Sequence, residues 1–330
     1  MIITRTPFRL SFFGGGTDYN TWFSEHGGLV IGTTFRRYCY ISCRTLPPFF
    51  DYKTRVVYSR TELVKENQEI QHPSIRGCLS HLGIQDGLEI HHDGDLPARS
   101  GLGSSSTFTV GFLLSLHAMR HVMPTKKDLA NQAIKIEQEI LKENVGIQDQ
   151  IFAAYGGLRI ISIDRTGDYE VTPLILPPDY IQTIEEHILL GFTGQTRDAT
   201  HLAGAQIEQI QKGNSHMDEI HSIAKEALRL LNARADLSEI GKLLDASWRI
   251  KRSITKGISN DQIDDLYQTG FKAGAYGGKL LGAGGGGFIM FFAPPYQHQR
   301  IQAALPGIKV WVPFKMDHLG AQVIMHTDAF

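Results

Sequence analysis

From Leu96 to Ser106 the chain reads Leu-Pro-Ala-Arg-Ser-Gly-Leu-Gly-Ser-Ser-Ser, and from Phe108 to Leu114 it turns mostly apolar. A proline turn, two glycines and a run of hydroxyls ahead of an apolar stretch predict a loop entering a helix. The start of a helix offers unpaired N–H groups and a partial positive charge. Glycines let the backbone approach a ligand closely, and serine hydroxyls donate to phosphate or ligate a metal. The segment therefore reads as an anion cradle, with the plainer alternative that the serines only cap the helix and the glycines only make the turn. No GxxxxGK[ST] occurs in the chain, and Ser106 stands where a GxGxxG fingerprint needs its last glycine. Dinucleotide binding thereby loses its main support.

Two carboxylates could work beside such a cradle. Leu129, Ala133, Ile136 and Ile140 recur at spacings of four, three and four, which predicts the buried face of a helix over 128–142. Glu137 lies beside that face. Glu139, flanked at i−4 and i+4 by Lys135 and Glu143, belongs to a solvated one. Asp149, within Gly146-Ile147-Gln148-Asp149-Gln150 and just before the apolar Ile151-Phe152-Ala153-Ala154, would open another helix, where the dipole favours an acid whatever its role. Either acid alone could be structural. Together with an anion loop they fit phosphoryl transfer, which needs a carboxylate to hold Mg2+ and a group to orient or deprotonate the attacking hydroxyl.

The elements that must position these groups belong to an ordinary globular chain. At 330 residues there is room for two domains, and 42% hydrophobic residues with a net charge of −1 argue against disorder and against a nucleic-acid partner, which needs clustered, uncompensated Lys and Arg. The three cysteines, Cys39, Cys43 and Cys78, make no even disulfide set and no CxxC pair, so a reducing, cytoplasmic setting is expected. The N-terminus reads as a strand rather than a signal peptide. The longest apolar stretches fall short of the roughly 20 residues of a membrane span. Strands are expected at 29–31, 39–43, 55–58 and 88–91, with helices after Gly103 and over 128–142. Beyond the helix-stopping Ile175-Leu176-Pro177-Pro178-Asp179 come a strand at 188–192, amphipathic helices near 200–232, 237–252 and 261–275, and short strands at 278–281, 288–292, 309–312 and 323–326. The fold class is α+β, with domains over 1–177 and 178–330 and helices packed on one side of mostly antiparallel sheet.

Three segments in order along the chain resemble the GHMP kinases. Thr6-Pro7-Phe8-Arg9-Leu10-Ser11-Phe12-Phe13-Gly14-Gly15-Gly16-Thr17-Asp18-Tyr19 is similar to the substrate-side motif, residues 97–106 to the ATP-phosphate loop, and Lys279-Leu280-Leu281-Gly282-Ala283-Gly284-Gly285-Gly286-Gly287-Phe288 to the C-terminal glycine motif. The resemblance implies an N-terminal domain like ribosomal protein S5 domain 2 and a ferredoxin-like C-terminal domain, with ATP in the cleft between them. It further implies Asp149 as the catalytic aspartate and Arg9 as its arginine partner. ATP would be held by Pro97, Ser100, Gly101, Leu102, Gly103, Ser104, Ser105 and Ser106, and Mg2+ by Ser105 and Glu137. Substrate would meet Gly15, Gly16, Thr17, Asp18, Gly284 and Gly285. Gly15 and Gly16 replace the Glu-His pair that galactokinases carry before Thr-Asp-Tyr, which removes two polar sugar contacts.

The string Phe12-Phe13-Gly14-Gly15-Gly16-Thr17-Asp18-Tyr19, with Phe192-Thr193-Gly194-Gln195-Thr196-Arg197, resembles the subgroup that phosphorylates D-glycero-D-manno-heptose 7-phosphate at its anomeric hydroxyl in nucleotide-activated heptose biosynthesis. A substrate already phosphorylated would need further cations. Arg197 is the first candidate clamp, since its planar fork suits phosphate, ahead of Arg36, Arg37, Arg159 and Lys256. The rival readings are a kinase of a neutral sugar, fucokinase-like or galactokinase-like, and a sugar sensor that keeps the fold without catalysis. The oligomeric state stays open.

Overall fold

The computed structural model describes residues 1–194, 203–205, 207–209 and 216–327. In chain order its elements are β1 (Ile2–Phe13), α1 (Asn20–His26), β2 (Gly28–Thr45), β3 (Thr54–Val57), β4 (Thr61–Val64), α2 (Pro73–His81), β5 (Leu88–Gly94), α3 (Ser104–Met119), α4 (Lys126–Lys135), α5 (Gln148–Tyr155), β6 (Arg159–Ile163) and β7 (Tyr169–Pro173). The second half supplies α6 (Pro178–Glu186), β8 (Ile188–Phe192), α7 (His216–Asn232), α8 (Leu237–Ile254), α9 (Asp261–Lys272), β9 (Gly277–Leu280), β10 (Phe288–Phe292), α10 (His298–Ala304), β11 (Val310–Val312), β12 (Met316–Asp317) and β13 (Gln322–His326). Strands and helices group into two sheets, one of nine strands and one of four in the order β11-β8-β10-β9. Both are mixed with helices, as the α+β reading expects.

The spine of the large sheet is β2. The sequence offered two short strands at 29–31 and 39–43; they are parts of one 18-residue strand. Along one edge β2 meets β6, then β12, then β5, and along the other it pairs antiparallel with β1 from Ile2↔Cys43 to Phe13↔Ile31. The register shifts on β1 at Pro7/Phe8 and at Ser11/Phe13 bracket Arg9. Such irregularities bend a strand and re-aim its side chains.

Helix α3 is apolar on every side, with residues from Ser106 to Leu116 buried, because it lies between β1 and β2 on one side and α2, α4 and α5 on the other. A helix buried all round has no solvated stripe to show. The helix expected over 128–142 departs from regularity instead. After Lys135 it passes into a π turn over Ile136–Ile140, with Leu141 N–H donating to the Ile136 carbonyl at 2.9 Å. The extra residue in that turn shifts the face, so Ile140, expected inside, is 41% exposed while Glu137 is fully buried. Glu139 is exposed, as its neighbours indicated.

The final strands depart from a simple division at Pro177/Pro178. After β11 the chain leaves the small sheet; β12 pairs with Phe35 and Thr34 of β2, and β13 pairs with β1, Ile2 opposite His326. Short strands of alternating polarity carry no mark of which sheet they join, and only the register shows it. Glu185 on α6, nearly buried, fastens this return: it accepts a hydrogen bond from Met316 N at 2.8 Å and pairs with Lys315. Replacing Glu185 with Ala leaves the Met316 amide without a partner. The variant is expected to lose about 1–3 kcal/mol of stability, read as a lower urea midpoint at an unchanged slope. An unaltered midpoint would remove Glu185 from this role.

Candidate active site

The register shifts on β1 and the first turn of α5 bring Arg9 and Asp149 together across 140 positions of sequence. Arg9 Nε and Nη2 donate to the two carboxylate oxygens of Asp149, both at 2.8 Å, and Nη1 donates to the Gly101 carbonyl at 2.6 Å. A guanidinium fork matched to a carboxylate fixes both side chains in plane. Arg9 is nearly buried, whereas the Asp149 side chain keeps 24% of its exposure, so the acid faces an open site from a rigid base.

The loop entering α3 sits on this pair. Gly103 takes a left-handed conformation at φ 73°, and a Cβ there would stand 3.1 Å from both Arg9 Cγ and Asp149 Oδ2. The first turn of α3 has no side-chain cap, which answers the alternative that the serines serve as caps. Ser104 Oγ accepts from Arg99 N at 3.1 Å, Ser105 is exposed, and Ser106 is buried. Ser100 Oγ is buried with no hydrogen-bond partner. Leu102 is fully buried and its carbonyl receives Arg9 N–H at 3.3 Å, so this residue anchors the loop in the core. Pro97 is exposed at the rim.

The glycine block of residues 282–287 carries this loop from behind. Phe288 N donates to the Ser100 carbonyl at 3.1 Å. A Cβ on Gly282 would stand 2.5 Å from Gly101 Cα, and one on Gly287 2.3 Å from Ser100 O. The two loops meet backbone to backbone, a distance only glycine permits. Gly284 and Gly285 pack instead on Ile258: a Cβ on Gly284 would lie 2.6 Å from Ile258 Cα, and Gly285 N donates to the Ile258 carbonyl at 3.0 Å.

On the other side of Asp149, the turn of residues 14–18 presents Asp18. Its carboxylate accepts from Gly16 N at 2.9 Å, Gln148 N at 3.2 Å and Gln148 Nε2 at 2.8 Å. Burial, with the charge of Asp149 adding to it, raises the Asp18 carboxyl above its ordinary range. Thr17, which the resemblance gave to substrate, is fully buried and bonds the turn itself through Gly14 O at 2.8 Å and the Leu29 backbone. It holds the turn shut rather than facing a ligand. Gly15 lies near Ser11 Oγ and the Gln148 amide, and Gly16 packs under Met217. Ser11 Oγ and Gln148 Oε1 are buried without partners, two polar atoms that the sequence reading did not single out.

The π turn aims Glu137 inward, under α3. Glu137 Oε2 accepts from Ser106 Oγ at 2.8 Å and Gln150 Nε2 at 2.6 Å, and Oε1 has no hydrogen-bond partner. Burial pushes this carboxyl up to about 7. The serine bonded to Glu137 is thus Ser106, next to the Ser105 that the resemblance paired with it. Arg197 lies outside the described residues. Of the lesser cations, Arg36 and Arg159 donate to the carbonyls of Met316 and Gly156, Arg37 to that of Arg36, and Lys256 is exposed.

Two lysines enter the site unannounced. Lys279 Nζ is buried and donates to the Phe12 carbonyl at 3.0 Å, while Lys251, near the end of α8, donates to the Gly282 carbonyl. Lys251 falls on the apolar stripe of its helix, three residues after the buried Trp248 and seven after the buried Leu244. A cation in that stripe was the available signal. Burial, helped by Arg9 and opposed by Asp18 and Asp149, brings its ammonium group down to about 8.

Comparison with known proteins agrees with this arrangement. Residues 69–157 match the model of the GHMP kinases N terminal domain and residues 224–308 that of the GHMP kinases C terminal region. The chain is 29% identical over 322 residues to the D-glycero-alpha-D-manno-heptose 7-phosphate kinase of Campylobacter jejuni, covering 92% of this chain and 93% of that one. It is 27% identical to the galactokinase of Pyrococcus furiosus, over 87% of each chain. Its fold superposes with a TM-score of 0.80, at 22% identity, on a D-glycero-D-manno-heptose 1-phosphate kinase from Bacteroides thetaiotaomicron, covering 99% of this chain and all of the other. With the uncapped α3 start, the glycine block behind it and the Arg9–Asp149 pair in place, the chain belongs to the GHMP kinase family.

Proposed function

We propose that this chain is an ATP-dependent sugar-phosphate kinase that phosphorylates an anomeric hydroxyl, with D-glycero-D-manno-heptose 7-phosphate as substrate. The observation that carries the reading is the bidentate Arg9–Asp149 pair seated against the uncapped start of α3. ATP would lay its phosphates on the N–H groups of Ser104–Ser106, where the helix start favours anions. Asp149 would orient the sugar hydroxyl and take its proton as the oxygen attacks the terminal phosphorus. The bond to the bridging oxygen breaks in the same step, and its electron pair leaves with ADP. Arg9, fixed on Asp149 and on the Gly101 carbonyl, would meet negative charge on the transferring group, so the work is positioning and electrostatics. Asp18, flanked by Gln148, would receive sugar hydroxyls.

Mg2+ fits Glu137. The buried Oε1 without a partner is an acceptor looking for a cation or a proton; Ser106, already bonded to Oε2, would hold the ion with it, with Ser105, the residue before, as the further hydroxyl that the family motif offers. A bound Mg2+ supplies charge neutralisation at the phosphate oxygens. Two features support the substrate: the relative named as a heptose 7-phosphate kinase spans the chain nearly end to end, and at Gly15, beside Asp18, an added Cβ would meet nothing closer than 3.6 Å. A neutral sugar is the second reading, favoured by one observation: Arg36, Arg37 and Arg159 are each bonded to backbone carbonyls. A non-catalytic sensor would have no use for so fully formed a pair at Arg9 and Asp149.

A coupled ADP-release assay over heptose 7-phosphate, mannose, galactose, fucose and mevalonate, with and without Mg2+, tests the substrate. Metal-dependent turnover is expected on heptose 7-phosphate, and turnover confined to a neutral sugar would overturn the sugar-phosphate reading. Asp149→Asn is expected to cut kcat by about 100-fold to 10,000-fold with the melting temperature nearly unchanged; near-normal turnover would exclude Asp149 as the proton acceptor. Glu137 gives a separate check through stability. Burial raises its folded carboxyl from the ordinary 4.5 to about 7, so the stability it confers is full below about 4.5 and is lost as pH rises through about 7. Without divalent cation, Glu137→Gln should therefore melt higher than the parent at pH 8, by on the order of 5 °C, with the advantage shrinking towards pH 5. A difference that does not vary with pH would contradict a buried, unneutralised Glu137.

A further inference from the structure

We propose that Lys251 is a further catalytic residue of this site, its ammonium group contacting the terminal phosphate of ATP from the side opposite Arg9. The inference rests on the kinase reading above and adds a residue outside the three motifs that carry it. Lys251 reaches the site from α8 and rests on the Gly282 carbonyl. Gly282 lies directly on Gly101, where a Cβ would come within 2.5 Å of the Gly101 α-carbon, and the Gly101 carbonyl receives Arg9 Nη1 at 2.6 Å. Two cations thus bracket the turn that leads into α3, one from β1 and one from α8.

Their charges are answered differently. Both oxygens of Asp149 are taken by Arg9, and Asp18 is satisfied by Gly16 and Gln148. Lys279, facing the same space from β9, is spent on the Phe12 carbonyl, and burial drives it well below its ordinary range, towards the neutral form. Lys251 senses Arg9 from β1, Asp18 from the turn and Asp149 from α5, yet it makes no ion pair among the described residues. Lys251 is half-buried, and with the Gly282 carbonyl for its hydrogen-bond partner its ammonium group keeps donors that an anion in the site could take. The turn that Gly282 supports at Gly101 leads into the start of α3, where the kinase reading places the phosphates. In phosphoryl transfer, charge spreads over the oxygens of the moving group, so cations on two sides hold it better than one.

The test is calorimetric titration of the full chain with Mg2+ and either AMP-PNP or ADP, which differ in the terminal phosphate. Lys251→Met is expected to weaken AMP-PNP by about 10-fold to 100-fold, the worth of a hydrogen bond to a charged group, while ADP stays within about twofold. On the sugar substrate, kcat should fall by about 100-fold with little change in KM for the sugar. Equal weakening of both nucleotides, or no weakening, would overturn the proposal and leave Lys251 as a support of the glycine block. If the Met variant does not fold, the parent and Lys251→Arg decide the matter. The parent should lose AMP-PNP affinity as pH rises beyond about 8, because lysine sheds its charge and arginine does not, and superimposable profiles would count against the role. Should no sugar be phosphorylated, the substrate reading fails while the nucleotide comparison still decides Lys251.

Discussion

The contact between the turn at residues 100–103 and the glycine block at 282–288 is the constraint on which the site rests. Main chain meets main chain there with no side chain between, and the carbonyl of Ser100 is spoken for by Phe288. With this support behind it, the turn presents the Gly101 carbonyl to Arg9, which then has one donor on the loop and two on Asp149. The loop, the arginine and the acid therefore share one geometry. Shifting any of them by an ångström disturbs the other two, and misplacement on that scale is costly to a transfer reaction. The small sheet supports the arrangement as well, since the glycine block is the link between β9 and β10 and Thr193 at the end of β8 is bonded to Gly287.

Much of this was legible in the chain because it is local. The glycine-serine run, the acid in the first turn of α5 and the glycine block are contiguous strings, and their chemistry follows from residue type and spacing. The buried side of Glu137 was legible too, though the reason for its depth was not. A helical repeat counts residues at a constant angle, and the π turn at 136–140 breaks that count, exposing Ile140 and sinking Glu137. Thr17 shows the opposite limit: its place within a motif said nothing of its use, which is to close the turn on Gly14 and Leu29.

What the chain did not reveal depends on long-range pairing. The two strand fragments of β2 are joined across residues of ordinary composition, Arg36 and Arg37 among them. Those positions are strand because β1 and the C-terminal strap lie alongside, not because of their own propensity, a tertiary override of the kind strand preferences commonly undergo. Lys251 was hidden for a related reason. On its own helix it stands among Arg249 and Arg252, in what looks like a solvated run, and its place on the stripe of Leu244 and Trp248 gains a meaning only with the Gly282 carbonyl that it reaches.

The pairing of β13 with β1 bears on how the protein is made. Ile2 and His326 are neighbours in the sheet, so the strand that covers β1 is synthesised after every other strand described above. Until then β1 keeps one hydrogen-bonding edge open, beside the strand that carries Arg9. An open edge next to apolar surface is a site for wrong pairing with another chain, and closing a loop of this length carries an entropic cost that only the finished sheet offsets. The strand that carries Arg9 is thus sealed only after the other described strands exist, and until then α3, which packs on β1 from within the first half of the chain, is what covers it.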